Sequence, residues 1–503
     1  MQFSIFARQN TQLLKKNFLI NLAFLLLLNL LVKPFWIFGI ERSVQNVVGA
    51  QEYGLYFSLF NFSLILQILL DLGITNNNNR NIARHSHMLS KYFSNIVSLR
   101  LLLAVFYALV SLVAALALGY DIRQFSVLGV LIVNQFLASF VLYLRSNVSG
   151  LQFFKTDSIL SVLDRFIMIL ICGILLWGHV TSVPFRIEWF VYSQTAAYLI
   201  TAIVAFIIVV RKTTYFKLHF DYRFYAVYIK QSFPFALLIL LMAFYNRVDS
   251  IMIERLLPNG QEESGIYAQA FRILDAFSMI AYLFSVLLMP MFARMLQKKE
   301  NVGGIIKIAA LLLIVPAIVL ASVCIVFNNE LMHLMYVGFA ERSAPVLSYL
   351  MVGFIGICGT YIFGSLLTAN GSLKYLNIMA AAGMVFNISI NFILIPAFWS
   401  TGAAFTSMVT QLITMTAQIF IAVKLLNIRA NYSLIARIIL FFPISIGISF
   451  ACRYLFHGWF TAFIVAVALS LLFAFLIRIF NLRAIGELIR PHIVTENDNE
   501  TSE

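Results

Sequence analysis

Residues 375–423 read YLNIMAAAGMVFNISINFILIPAFWSTGAAFTSMVTQLITMTAQIFIAV and contain no Asp, Glu, Lys or Arg. A helix needs roughly twenty apolar residues to cross the hydrocarbon core of a bilayer, so this run is long enough for two crossings. Residues 101–120, 308–327 and 454–477 are equally free of those four residue types. Inside lipid the backbone can satisfy its own hydrogen bonds only as a helix or a closed barrel. These runs are too long and too continuously apolar for barrel strands, so the sequence predicts an all-α polytopic membrane protein.

The composition agrees, with 61% hydrophobic and 11% charged residues, far from the usage of a soluble domain. Fourteen spans are expected, near 18–38, 54–75, 94–119, 124–149, 158–178, 188–210, 232–256, 265–291, 303–327, 346–369, 374–395, 402–425, 435–456 and 459–480. A net charge of +14 would suggest nucleic acid in a soluble protein, but here its placement gives it another cause. Of the 35 Lys and Arg residues, Lys33, Arg100, Arg165, Arg247 and Arg272 fall within spans. Arg42, Arg123, Arg186, Arg255, Arg342 and Arg453 fall on one set of loops, and the remaining 24 lie on the opposite side with both ends of the chain. The positive-inside rule then puts both termini in the cytoplasm, and no nucleic-acid partner is implied. The apolar stretch after Lys15-Lys16 has no small-residue cleavage site and runs into Lys33-Pro34-Phe35-Trp36, so it reads as a retained first span.

No stretch is large enough for a soluble domain, and the longest inner loop, about 211–231, has no catalytic motif. A phosphate loop, an H-E-x-x-H helix and a disulfide or metal pattern of cysteines are all absent from the sequence, so no cofactor, metal or catalytic residue is assigned. The two halves echo each other. Gly54-Leu55-Tyr56 opens the second span and Gly265-Ile266-Tyr267 the eighth; Gly150-Leu151-Gln152 follows the fourth and Gly371-Ser372-Leu373 the tenth. Six spans per unit, an even number, predict two parallel six-helix lobes with a solute site between them. The expected division is an N-lobe over 1–215, a C-lobe over 216–430, an accessory C-terminal helix pair over 431–482 and a cytoplasmic tail over 483–503.

A charge at mid-bilayer costs roughly 2.5–3.5 kcal/mol on insertion scales, so such groups usually face a cavity. Lys33, Arg247 and Arg272 lie too deep to snorkel and are read, with Arg165, as a cationic cavity. Lys33 and Arg247 sit at similar depth on the first helix of each half, which would place two cations across a cleft. Arg272 and Asp275 share a helix face, whereas Arg247 and Asp249 point to different sides. Asp71, Asp249 and Asp275 are the candidates for coupling to H+ or Na+, and Asn387, Asn391 and Gln411 for polar lining, although such amides also serve as interhelical glue. Arg100, Arg145 and Asp164 are read as near-terminal groups reaching the headgroups. Forked arginine donors suit a phosphate or diphosphate, and amides beside them suit sugar hydroxyls.

Four segments carry a family likeness. They are 49–56 (GAQEYGLY) leading through Asp71-Leu72-Gly73 to Asn81-Ile82-Ala83-Arg84; Ser232-Phe233-Pro234 with Asn246-Arg247-Val248-Asp249; Gly265-Ile266-Tyr267-Ala268 running to Met289-Pro290-Met291; and 387–396 (NISINFILIP) with Gly402-Ala403-Ala404. Across most of residues 15–425 the chain resembles the Wzx-type polysaccharide flippases of the multidrug, oligosaccharidyl-lipid and polysaccharide exporter superfamily. The resemblance implies a two-lobe transporter in the bacterial cytoplasmic membrane. Its cargo would be undecaprenyl-diphosphate-linked oligosaccharide repeat units, as for O-antigen or capsule. Fourteen spans also match the lipid II flippase branch. A cation-coupled multidrug exporter of the same superfamily is the next alternative, and a membrane polymerase or ligase a further one. The short outer loops, such as 257–264, carry no acid–base constellation for such an enzyme.

Overall fold

The computed structural model describes residues 28–479, apart from 30, 76–77, 80–81, 83–87, 179, 214–216, 218–219, 429–430 and 478. The start of the first expected span, Arg80, Arg84 and the expected tail therefore lie outside the described residues. Every regular element among the described residues is helical. In chain order these are a π-helical turn Trp36–Glu41, α1 (Arg42–Leu66), a 3-10 turn Gln67–Leu70, α2 (Met88–Ala117), α3 (Ile122–Gly150), α4 (Phe154–Trp177) and α5 (Ile187–Val210). Then follow α6 (Tyr222–Leu256), α7 (Gly260–Gln297), α8 (Gly303–Val326), α9 (Asn328–Met335), α10 (Ala340–Ala369), α11 (Leu373–Leu426), α12 (Tyr432–Leu455) and α13 (Trp459–Leu476).

Among the described residues, twelve helical stretches are long and apolar enough to cross a membrane. Two of them are far longer than one crossing needs: Leu31–Leu70 has 40 residues and Leu373–Leu426 has 54. At a rise of 1.5 Å per residue the longer would extend to about 80 Å, against a hydrocarbon core of about 30 Å. Each is broken near its middle, at Gly49 (φ 82, ψ 170) and at Trp399 (φ 59, ψ −139). The break at Gly49 uses a backbone conformation that glycine adopts without a Cβ clash. Counting the segments on either side of each break separately brings the tally to the fourteen expected. The difference is that the loops expected at 39–53 and 396–401 are helical up to the break itself. The eight-residue α9 was also not expected, because it is too short and polar to register as a span.

Apolar residues on the outside follow the helical period. On α2, Leu102, Val105, Phe106, Leu109, Val113 and Leu116 form one exposed stripe, a surface suited to hydrocarbon rather than water. The helices up to Val210 pack mainly on one another, as do those from Tyr222 onward. The seam between the two sets is made by α1 against α6 and α7. Its closest point is glycine-lined: a Cβ on Gly54 would meet the Gln261 carbonyl, and one on Gly265 would meet the Ala50 carbonyl. The last two helices lie against α8. Ala462 and Ala466 of α13 pack with Val323 and Val326, and Ala474 with Leu311, Val315 and Ile318. Small residues at this spacing let helices approach closely in lipid, and the Ser445 hydroxyl donates to Ser470 (3.1 Å) within the pair.

Candidate functional site

The seam gathers three helices around two arginines. Arg247 reaches from α6, Arg272 and Asp275 stand one turn apart on α7, and α1 presents Tyr53, Phe57, Phe60 and Asn61. Asp275 bridges both arginines: its oxygens accept from Arg247 Nη2 (3.2 Å) and Nη1 (3.3 Å) and from Arg272 Nη1 (3.5 Å). Arg247 also donates to Asn61 Oδ1 (3.4 Å) and lies 5.1 Å from the Phe271 ring centroid. Arg272 donates from Nε to the Tyr53 hydroxyl (2.9 Å) and sits over Phe57 at 5.1 Å. A guanidinium over an aromatic face gains electrostatic attraction, more so when desolvated.

One charged member was not picked out from the sequence. Glu41 ends the π-helical turn, is 5% exposed, and places Oε2 3.4 Å from Arg272 Nε. Arg165 is its second cationic neighbour. Beside Arg42 at a span end, Glu41 looks like an ordinary loop acid. The π turn, a feature common at functional sites, is what carries it inward.

Lys33 and Arg165 form the other half of the cationic set. Arg165, on α4, packs against Trp36 (5.5 Å) and Tyr198 (5.7 Å) and donates to Met168 Sδ (3.2 Å). Lys33 has Arg165, Asp164 and Arg145 as its charged neighbours. The structure therefore groups Lys33 with Arg165, and Arg247 with Arg272 and Asp275. Glu41, with Arg272 and Arg165 as neighbours, stands between the two groups.

Asp249 faces away from Arg247, as their spacing predicts. It is 1% exposed and accepts from Asn391 Nδ2 (2.7 Å) and the Tyr267 hydroxyl (3.0 Å). Asn387 lies one turn from Asn391 and accepts from it (3.1 Å), so both amides are buried with Asp249 and not beside the arginines. Gln411, 4% exposed, donates to Asn246 Oδ1 (2.5 Å) in the adjoining space between α6 and α11.

Asp71 lies apart from all of these, past the 3-10 turn. It pairs with Arg100 and accepts from the backbone N–H groups of Gly73 (3.1 Å) and Thr75 (3.1 Å). Arg100 is corrected from its expected place at the headgroups. It is 2% exposed, donates to the Ser139 carbonyl (3.1 Å) and hydroxyl (2.9 Å), and sits 4.8 Å from the Tyr143 ring. Arg145 likewise pairs with Asp157 (2.8 Å), and Asp164 accepts from the Arg165 backbone N–H (2.8 Å).

Known proteins resemble this chain in sequence and in fold. In sequence, the chain is 26% identical over 187 residues to the lipid III flippase of Escherichia coli strain K12, a match covering 36% of this chain and 44% of that protein. The chain thus spans less than half the length of the curated relative it matches. In fold, it superposes on the lipid II flippase MurJ in an inward closed conformation with a TM-score of 0.67 at 15% identity, covering 92% of this chain and 100% of that one. It also superposes on an inward-facing multidrug resistance MATE family transporter of the MOP superfamily, with a TM-score of 0.58 at 13% identity and coverage of 78% and 94%. These set the fold as that of MurJ and MATE transporters. The family model described as polysaccharide biosynthesis protein matches residues 18–296, more than half of the sequence, and the chain belongs to that family.

Proposed function

We propose that the protein is a flippase that carries a polyprenyl-diphosphate-linked oligosaccharide repeat unit from the inner to the outer leaflet of the bacterial cytoplasmic membrane. The observation that carries this reading is a pair of adjoining cationic groups, Arg247 and Arg272 on Asp275 and Arg165 beside Lys33, with Glu41 between Arg272 and Arg165, at and beside a seam between two sets of helices. Forked guanidinium donors match the geometry of a diphosphate. Tyr53, Asn61, Trp36 and Tyr198 beside them are buried here and would present aromatic faces and polar groups to sugar rings once the seam parts. The lipid tail stays in the bilayer while an N-lobe (1–215) and a C-lobe (216–430) rock about the seam, with both termini in the cytoplasm. Helices α12 and α13 form the accessory pair on the C-lobe. Asp249 is the group for coupling to H+ or Na+, since its buried carboxylate is held by neutral donors, Tyr267 and Asn391 among them, and among the described residues no arginine is paired with it.

The match to a lipid III flippase and the fold of MurJ keep two other lipid-linked glycans in view as cargo. A multidrug exporter would call for an acidic cavity, whereas here Lys33, Arg165, Arg247 and Arg272 stand with the three acids Glu41, Asp164 and Asp275. The test is deletion of the gene in a strain that makes the cognate glycan. Lipid-linked units should then accumulate on the cytoplasmic leaflet, rescued by the parent protein and not by Arg247→Ala at equal membrane level. Units that still reach the outer leaflet, with only polymer missing, would overturn the flippase reading in favour of a polymerase or ligase. Unchanged glycans with new sensitivity to cationic drugs would overturn it in favour of the exporter.

A further inference from the structure

Arg42 and Arg255 each leave a helix at one side of the seam and close on a helix end at the other. Arg42 Nε donates to the Met335 carbonyl (2.5 Å) and its Nη2 to the Leu334 carbonyl (2.8 Å), the last two carbonyls of α9. One turn on, Asn46 Nδ2 donates to the Met335 carbonyl (3.0 Å) and its Oδ1 accepts from the Val337 N–H (3.2 Å). Arg255, in the last turn of α6, reaches the opposite way. Its Nη1 donates to the Leu118 (3.2 Å) and Gly119 (3.4 Å) carbonyls just past the end of α2. Its Nη2 donates to Gln124 Oε1 (2.9 Å), and the guanidinium lies 4.1 Å from the Tyr120 ring centroid. Gln124 Nε2 donates back to Glu254 (2.6 Å).

The two contacts are the same device used twice. In each, an arginine at the end of the first long helix of one half meets carbonyls between the third and fourth crossings of the other half. Such carbonyls have no partner within their own helix and form the negative end of its dipole, so a guanidinium suits them on two counts. Both arginines belong to the six basic residues on the loop set that the charge distribution assigns outside. Between them lies the glycine crossing of Gly54 and Gly265.

We propose that Arg42 and Arg255 form a paired latch that holds the two halves together on the outer face, and that both must let go for the path to open there. Arg255 also pairs with the buried carboxylate of its own neighbour Glu254 (2.7 Å), and that pair stays together on α6 when the carbonyls and the Gln124 amide are released to water, so the latch opens with both charges still partnered. Its transport role rests on the flippase reading; the opening itself is measurable without any cargo.

The test uses the full-length protein with Cys172, Cys324, Cys358 and Cys452 replaced by Ala and Ala50→Cys as reporter. Ala50 is 7% exposed and its carbonyl lies against Gly265, so a membrane-impermeant maleimide added to intact cells reaches it only when the seam parts. Loss of a charge-assisted hydrogen-bond set should shift the closed-to-open balance roughly tenfold for each arginine. Labelling should therefore quicken by about that factor in Arg42→Ala and in Arg255→Ala, and further in the double variant. Equal labelling rates in the parent and all variants would overturn the latch. Misfolding is separated by size-exclusion elution of each variant in detergent, which should match the parent, and by Arg42→Lys with Arg255→Lys, which keep a cation against each set of carbonyls and should return labelling toward the parent rate. Fast labelling that persists with both lysines present overturns the proposal, and so does labelling that occurs only in inverted vesicles. If the latch behaves as expected while deletion leaves lipid-linked units correctly placed, the cargo reading fails and the latch stands.

Discussion

Gly54 and Gly265 face each other where α1 crosses α7, and each lies against backbone of the opposite helix in the space where its own side chain would go. A Cβ on Gly54 would run into Gln261 and the Gly265 nitrogen, and one on Gly265 into Ala50. A shift of 211 residues carries Ala50 and Gly54 onto Gln261 and Gly265, so the contact is its own image under the sequence repeat. An interface in which residue i meets j while j meets i is what a two-fold axis generates. The obstacles are backbone atoms, which cannot swing aside as a side chain would. Gly54→Ala and Gly265→Ala are each expected to cost roughly 1–3 kcal/mol by overpacking. They should lower the thermal unfolding midpoint in detergent. Gly447→Ala on α12, where nothing lies within 4 Å of an added Cβ, should hold or raise it, since alanine favours a helix interior over glycine. An unchanged midpoint for both seam variants would mean the helices do not approach this closely.

Asp275 holds Arg247 and Arg272 at once, and an anionic cargo reaching either guanidinium competes with it. Asp275→Asn should therefore tighten binding of inorganic diphosphate to the purified protein, by about threefold to tenfold, the scale of a partly exposed ion pair. Arg272→Ala should weaken the same binding. Isothermal calorimetry reads both, and weaker binding in Asp275→Asn would show that the carboxylate positions the arginines for the anion instead of competing with it.

The Asp71–Arg100 pair calls for a different experiment. Arg100 is 2% exposed, and Asp71 also closes the backbone at Gly73 and Thr75, next to two residues of positive φ, Leu72 (45) and Gly73 (81). Removing one partner of a buried pair costs about 3–5 kcal/mol, so Arg100→Met alone should strongly reduce the folded protein recovered. The double variant Arg100→Met with Asp71→Leu should regain much of it, and the regained protein should still support glycan export. If export is lost while stability returns, Asp71 acts in coupling as well as in structure.

How far the sequence disclosed these features follows from which forces act where. Charge-free blocks such as 308–327 declare the fold because a bilayer leaves the backbone no other solution. The Gly-x-Tyr echo was legible because the repeat keeps glycine where two helices must touch. Glu41 was hidden because its neighbour Arg42 belongs to a loop set where acids are commonplace, and only the π turn and 5% exposure distinguish it. Arg100 was misplaced because its depth allows snorkelling, while its partners Asp71 and Ser139 come from chain segments far away in sequence. Asn387, Asn391 and Gln411 announce a polar helix face by their spacing, but which neighbour that face meets depends on helix rotation.

Asp249 carries the last prediction. Its carboxylate is enclosed by Tyr267 and Asn391, and among the described residues Asn391 Oδ1 is buried without a hydrogen-bond donor. A carboxylate beside a spare amide oxygen can take a small hard cation, whose oxygen-ligand preference it satisfies in part. Exchanging potassium for sodium at about ten times the dissociation constant should stabilise the folded protein by about 1.4 kcal/mol through mass action, a rise of about 2 °C or less for a chain this long. Asp249→Asn should abolish that rise. Arg247→Ala, two residues away but turned toward Asp275, should keep it, which separates loss of the ion from general loss of packing. If the parent shows no sodium response yet transport in vesicles follows an imposed pH gradient and Asp249→Asn uncouples it, the ion is a proton. Absence of both responses would remove Asp249 from coupling and leave it as the polar anchor between α6, α7 and α11.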